Sequence, residues 1–130
     1  MPMKLLLLFV CFSFLLTSCN ESSDDILIAQ REGAANCTTT FRLKKGNKFI
    51  EKSICFGTTE VTGEYKIKND TIFFENVKHS RLKSDFYQFA LIQSSRFKKD
   101  SWELIRYKDV KDQQGQRLFI SKNNLSLLKE

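Results

Sequence analysis

Cys37-Thr38-Thr39-Thr40-Phe41-Arg42-Leu43-Lys44-Lys45-Gly46-Asn47-Lys48-Phe49-Ile50-Glu51-Lys52-Ser53-Ile54-Cys55 places two cysteines symmetrically about a glycine. Cys37, Thr39, Phe41 and Leu43 alternate with Thr38, Thr40, Arg42 and Lys44, the period of two expected of a half-buried strand. Lys45-Gly46-Asn47 is a turn signal, and Lys48 to Cys55 returns as a second strand. A hairpin centred on Gly46 sets Leu43 opposite Phe49 and Cys37 opposite Cys55. Opposed strand residues have Cα atoms about 4.5–5.5 Å apart, within the span of a disulfide. A three-residue hairpin loop containing glycine is an accepted type. A two-residue Gly46-Asn47 turn would shift the register by one and make the bridge diagonal. The centred register is the expectation.

The same alternation continues downstream. Phe56-Gly57-Thr58-Thr59-Glu60 reads as a loop. Tyr65 and Ile67 alternate with Glu64, Lys66 and Lys68. Asn69-Asp70 then turns the chain, since both residues tolerate a left-handed backbone, and Thr71-Ile72-Phe73-Phe74 returns. After a loop over Lys78–Asp85 come Phe86–Gln93, with Tyr87, Phe89 and Leu91 on one face, and Trp102–Lys108, with Trp102 and Leu104 on one face. Asp112-Gln113-Gln114-Gly115 turns into Arg117–Lys122. Asn124–Leu128 reads as a final strand or a short helical turn. No amphipathic helix stands out. The pattern predicts an all-β fold, an antiparallel meander of six to eight strands closing into a small barrel or strongly curved sheet.

The amino-terminal end carries an address. Met1-Pro2-Met3-Lys4 is a short basic start, and Leu5–Leu16 is an apolar run too short for the roughly 20 residues that span a bilayer. It fits the hydrophobic region of a secretory leader. Leu16-Thr17-Ser18-Cys19 resembles the bacterial lipoprotein lipobox. The resemblance implies cleavage before Cys19 and acylation of that cysteine. The expected organisation is a signal peptide over 1–18, a lipidated Cys19 with an acidic tether over 19–30, and one β domain over 31–130. The Ser/Asp-rich stretch after Cys19 resembles the surface-export signals of Bacteroidetes lipoproteins. That implies an outer-membrane, lipid-anchored protein, exposed at the cell surface or else facing the periplasm. Ile26-Leu27-Ile28 reads either as a short strand or as a docking point.

That address changes the cysteine inventory. Cys11 leaves with the leader and Cys19 takes lipid. Cys37 and Cys55 remain as a pair in an oxidising compartment, where a disulfide is expected. Neither has a CxxC neighbour, and a single histidine supplies no second class of metal ligand. No metal and no cofactor is expected. The net charge is +6, and all but one of the 21 Lys and Arg lie from Arg31 onward. A basic domain attracts acidic partners, although lysines on outward strand faces also discourage edge pairing. The compartment argues against nucleic acid.

Gly63-Glu64-Tyr65-Lys66-Ile67-Lys68-Asn69-Asp70-Thr71-Ile72-Phe73-Phe74 resembles the G-x-Y-x-I-x-x-D-T-I/L-x-F hairpin of small lipocalin-like lipoproteins of Bacteroidetes. The match covers about a dozen residues, and it implies a lipocalin-like meander without assigning any ligand-binding residue. Asp70-Thr71-Ile72 also resembles a Bacteroidetes O-glycosylation site, which implies a glycan on Thr71.

No catalytic constellation emerges. His79 sits in a polar segment and reads as an exposed loop residue. No serine lies in a nucleophile-elbow pattern, and no glycine-rich phosphate loop is present. Tyr65, Phe74, Tyr87, Phe89 and Trp102 are candidates for an apolar pocket, against the plainer reading that they fill the core. The expected function is a non-enzymatic binding module for an apolar ligand or an envelope partner. The alternative is an inhibitor or immunity protein acting against a lytic enzyme or toxin. The chain lacks the Ser-Gly-x-x-Tyr loop associated with one group of lysozyme inhibitors, and its charge would repel a basic lysozyme. A cavity lined by the aromatics would favour the first reading. A filled barrel with a projecting polar loop, at residues 78–85 or 94–101, would favour the second.

Overall fold

The computed structural model describes residues 24–33, 36–79 and 86–125. The expected leader, Cys19 and most of the expected loop and tail at 80–85 and 126–128 lie outside the described residues. Eight strands follow one another in the chain: β1 (Asp25–Glu32), β2 (Thr38–Lys44), β3 (Lys48–Ile54), β4 (Thr58–Lys68), β5 (Thr71–His79), β6 (Phe89–Ser94), β7 (Trp102–Tyr107) and β8 (Gln116–Asn123). Each pairs antiparallel with its neighbours in sequence, and β8 returns to β1 to close the barrel. Closure removes the open edges that an eight-stranded sheet would otherwise expose.

The β2–β3 hairpin adopts the centred register. Leu43 faces Phe49, Thr38 faces Ile54, and Cys37 and Cys55 are joined with their Cα atoms 4.4 Å apart. Gly46 and Asn47 both take positive φ, 83° and 59°, which lets the three-residue loop reverse the chain. The β4–β5 hairpin turns on Asn69 and Asp70, at φ 51° and 63°. Two successive left-handed residues match the twist of the flanking strands.

Period-two alternation sends Phe41 and Leu43, Phe49, Tyr65, Ile72 and Phe74, Ala90, Leu104 and Leu118 into one core. Four places depart from the sequence expectation. Asp25–Gln30, expected in the tether, belong to β1. Leu27 and Ala29 are fully buried, and β1 pairs with β2 on one side and β8 on the other. The acid at Asp25 is the counterion of Arg42 and Lys44, at 2.7 and 3.3 Å, rather than a solvated linker charge. Thr58–Glu60, expected as loop, open β4 opposite Lys52–Ile54. Their polar side chains hide the strand because neither face there is apolar. In β6 the inward residues are Ala90 and Ile92. Phe89 lies on the outside between Phe73 and Tyr107, with ring centroids 6.4 and 5.2 Å away. The chain is not yet strand at 86–88, so the parity of Tyr87 does not carry into β6. His79 ends β5, half-buried against the ring of Phe86, and is not an exposed loop residue.

Gly63 fits the packing rather than a turn. A Cβ there would meet two ring carbons of Phe49 at 2.6 and 2.8 Å and the Glu75 carbonyl oxygen at 2.9 Å. Opposite it, β5 carries a bulge in which Asn76 sits at φ 50°. Gly63→Ala is expected to lower stability by about 1–3 kcal/mol through overpacking, read as a lower urea midpoint with an unchanged m-value.

Candidate functional site

The interior of the barrel is built from rings around a buried charge. Phe74 lies 5.6 Å from Phe41, 5.1 Å from Phe49 and 5.5 Å from Phe86, each edge to face. Phe86 stacks on Phe49 at 5.3 Å. Above this cluster β7 sends in Arg106, which is 1% exposed. Its guanidinium carbon lies 5.3, 5.5 and 4.3 Å from the ring centres of Phe41, Phe86 and Tyr87. The faces of these rings are negative and attract the cation. From β3, Glu51 takes two guanidinium hydrogen bonds, at 2.5 and 3.2 Å. Gln116 of β8 accepts another. The guanidinium Nε has no partner among the described residues.

The pair braces the interior, with Arg106 donating from two guanidinium nitrogens to the two carboxylate oxygens of Glu51. Burial pushes the Tyr87 phenol above its ordinary value. Arg106 pulls it down again and Glu51 adds to the rise. Tyr65 is raised by burial as well, and its hydroxyl donates to the Lys44 carbonyl at 3.1 Å. Both phenols therefore remain protonated donors at neutral pH. Among the described residues no group of three or more His, Cys, Asp or Glu could hold a metal ion.

Sequence reasoning missed Arg106 and Glu51. The signal was present: Arg106 shares the parity of Leu104, and Glu51 that of Phe49, so each charge stands on an inward face.

The five aromatics proposed for a pocket do not converge. Tyr65 and Phe74 are packed in the core, and Tyr87 caps Arg106. Phe89 is on the outer wall, and Trp102 stands half exposed where β7 begins. A groove of about 650 Å³ lies elsewhere. Lys44, Lys48, Lys78, Glu64 and Asn76 line it, together with Phe49. Thr71, the expected glycan position, is half-buried at the start of β5 opposite Lys68.

The end of the barrel that carries the disulfide has a second feature. Phe56 forms the tip between Cys55 and Gly57. It is 96% exposed and takes φ 53°, a conformation that costs a bulky residue on the order of 1–2 kcal/mol. The Cys55 amide donates to the Gly57 carbonyl at 2.9 Å and closes the tip. Val110, 88% exposed, projects from the β7–β8 loop at the same end. That loop is shaped by Asp112, whose carboxylate accepts from the amides of Gly115, Gln114 and Lys108. These bonds, the one from Gly115 foremost, hold its carboxyl below the usual range.

No family model, no curated protein and no solved structure matches this chain.

The arrangement of Arg106 sets a test. Arg106→Met leaves Glu51 buried without a partner, and should cost about 3–5 kcal/mol. Replacing both, with Glu51→Met, should recover most of that loss in chemical denaturation.

Proposed function

We propose that this chain is a lipid-anchored envelope protein, attached through Cys19 to the outer membrane, whose barrel is a non-enzymatic binding module for an envelope protein. The observation that carries this reading is Phe56. A fully exposed aromatic in a strained backbone conformation returns nothing to the fold, so its place is best explained by a partner that buries it. Aromatic anchors of this kind dominate the energetics of protein interfaces. The interior favours a protein partner over a sequestered apolar ligand. Phe41, Phe49, Phe74, Phe86 and the Arg106–Glu51 pair fill space that a small lipid would need.

The second reading, an inhibitor or immunity protein, draws on the same tip. A projecting hydrophobic residue on a tight turn that starts at a disulfide cysteine suits insertion into the cleft of a lytic enzyme or toxin. The lipobox supports the anchor, and the Ser/Asp stretch supports export to the surface, with a periplasm-facing placement as the alternative. Thr71 is a candidate glycan position within that reading.

Three experiments follow. Cys19→Ala should abolish incorporation of labelled palmitate and release the protein from the membrane fraction; continued labelling rules out the anchor. A photo-crosslinking residue at position 56 should trap one defined envelope protein in living cells, and the same residue at position 52 should not. Phe56→Gly should abolish co-purification of that protein with the full chain while leaving stability unchanged or raised by about 1 kcal/mol, because glycine accepts positive φ without strain. A large loss of stability in Phe56→Gly would mean that the aromatic serves the fold instead.

A further inference from the structure

The two ends of the barrel differ in charge and in their distance from the start of the chain. One end gathers the first residue of β1, the β2–β3 and β4–β5 turns, the β6–β7 loop and the last residues of β8. The chain enters there, and the Lys45 amide donates to the Asp24 carbonyl at 2.9 Å. Lys45 and Lys48 are exposed in the first turn, and Arg96, Lys98 and Lys99 in the β6–β7 loop. Asp24, Asp70 and Asp100 oppose them, while Asp25 is buried and already engaged by Arg42 and Lys44. In the β7–β8 loop at the other end, Lys108 and Lys111 alternate with Asp109 and Asp112.

The basic end also exposes aromatics. Phe97 is 79% exposed and Trp102 is 51% exposed. The loop that presents Phe97 is built rather than slack. Its neck closes with the Ser95 amide donating to the Ser101 carbonyl at 2.8 Å. The Ser95 hydroxyl accepts from the amides of Phe97 and Lys98, at 3.2 Å each, and donates to Glu103 at 3.0 Å. Glu103 is itself 1% exposed and paired with Arg117 at 2.8 Å.

We propose that this end docks on the anionic phospholipid surface of the membrane that holds the anchor. Phe97 and Trp102 enter the boundary between headgroups and acyl chains, and Lys45, Lys48, Arg96, Lys98 and Lys99 meet lipid phosphates. The proposal rests on the reading of Cys19 as acylated. From Cys19 to Asp24 an extended chain reaches at most about 18 Å, so this end cannot stand far from the bilayer. The opposite end is separated from it by about 20 Å of tilted strand. Aromatic rings flanked by lysine and arginine are suited to the interface, where the ring meets acyl chain and the cation meets phosphate. Each such cation near an anionic surface adds to the attraction.

Trp102 is the only tryptophan in the chain, and it reports the contact directly. The test uses the unacylated chain from Asn20 to Glu130, which contains all eight strands of the closed barrel. Phosphatidylcholine vesicles containing phosphatidylglycerol should shift Trp102 emission to the blue, and brominated acyl chains should quench it. Vesicles of phosphatidylcholine alone should do neither. Replacing Arg96, Lys98 and Lys99 together with alanine should weaken binding at least about tenfold, and Phe97→Ser should reduce it too, each with the parent near-ultraviolet circular dichroism. Phe56→Ser, at the far end, should bind as the parent does. No shift with the anionic vesicles, an equal shift with neutral ones, or full binding by the triple variant overturns the proposal. No acyl chain is present in this assay, so palmitate labelling of the full chain tests the anchor separately and either reading can fail alone.

Discussion

The ion pair between Arg106 and Glu51 is the constraint around which the barrel is arranged. It joins β7 to β3, strands that are not neighbours in the sheet, so it braces the barrel across its interior rather than along its wall. Burying a guanidinium carries a desolvation cost of several kcal/mol. Here that cost is offset by a bidentate carboxylate, by the Gln116 side chain and by the faces of Phe41, Phe86 and Tyr87. Each of these depends on closure. Glu51 and Arg106 meet only if β1 joins β8 to β2, and the rings surround the cation only if the register of every hairpin holds. A slip of one residue in β3 would turn Glu51 outward together with Phe49. The pair therefore favours a single register as well as a closed wall.

The same pair limits what the barrel can hold. Eight-stranded meanders have room for filled cores or for one small ligand. In this chain the space goes to four phenylalanines and an arginine. The exposed features are on the surface: the Phe56 tip at one end, the basic aromatic loop at the other, and the groove of Lys44, Lys48 and Lys78 on the flank. On the proposed reading, recognition is an affair of ends and walls.

How much of this was legible in the sequence varied with the physics of each segment. The two hairpins over residues 37–55 and 64–74 could be read outright, because alternation, turn residues and a symmetric cysteine pair all specify one register. β1 could not. Ile26-Leu27-Ile28-Ala29 is a continuous apolar run behind acids, and the partner that makes it a strand, β8, lies some ninety positions downstream. Thr58–Glu60 escaped notice because a strand polar on both faces has no period to detect. Phe89 faces outward because the alternation read over Phe86–Gln93 does not run through 86–88, where the chain is not a strand. Arg106 and Glu51 are harder to read for a different reason. A charge on an inward face is unusual, and only the parity of Leu104 and Phe49 marks those positions as inward.

The placement of Phe56 is easier to understand once the disulfide is considered with it. A left-handed phenylalanine at an open tip would lower the population of its own turn, because the strain is relieved whenever the tip opens. Cys55 is fixed to Cys37, and Gly57 at φ 141° supplies the freedom that its neighbours lack. The bridge removes open conformations from the tip and so lets strain persist at a residue that packs against nothing. Such an arrangement pre-orders an aromatic for contact and lowers the entropy lost on binding. At the opposite end the Ser95 hydroxyl and buried Glu103 do for Phe97 what the disulfide does for Phe56. In both places a buried or covalent support holds out a side chain that the core does not need, and the braced interior between them keeps the two supports in register.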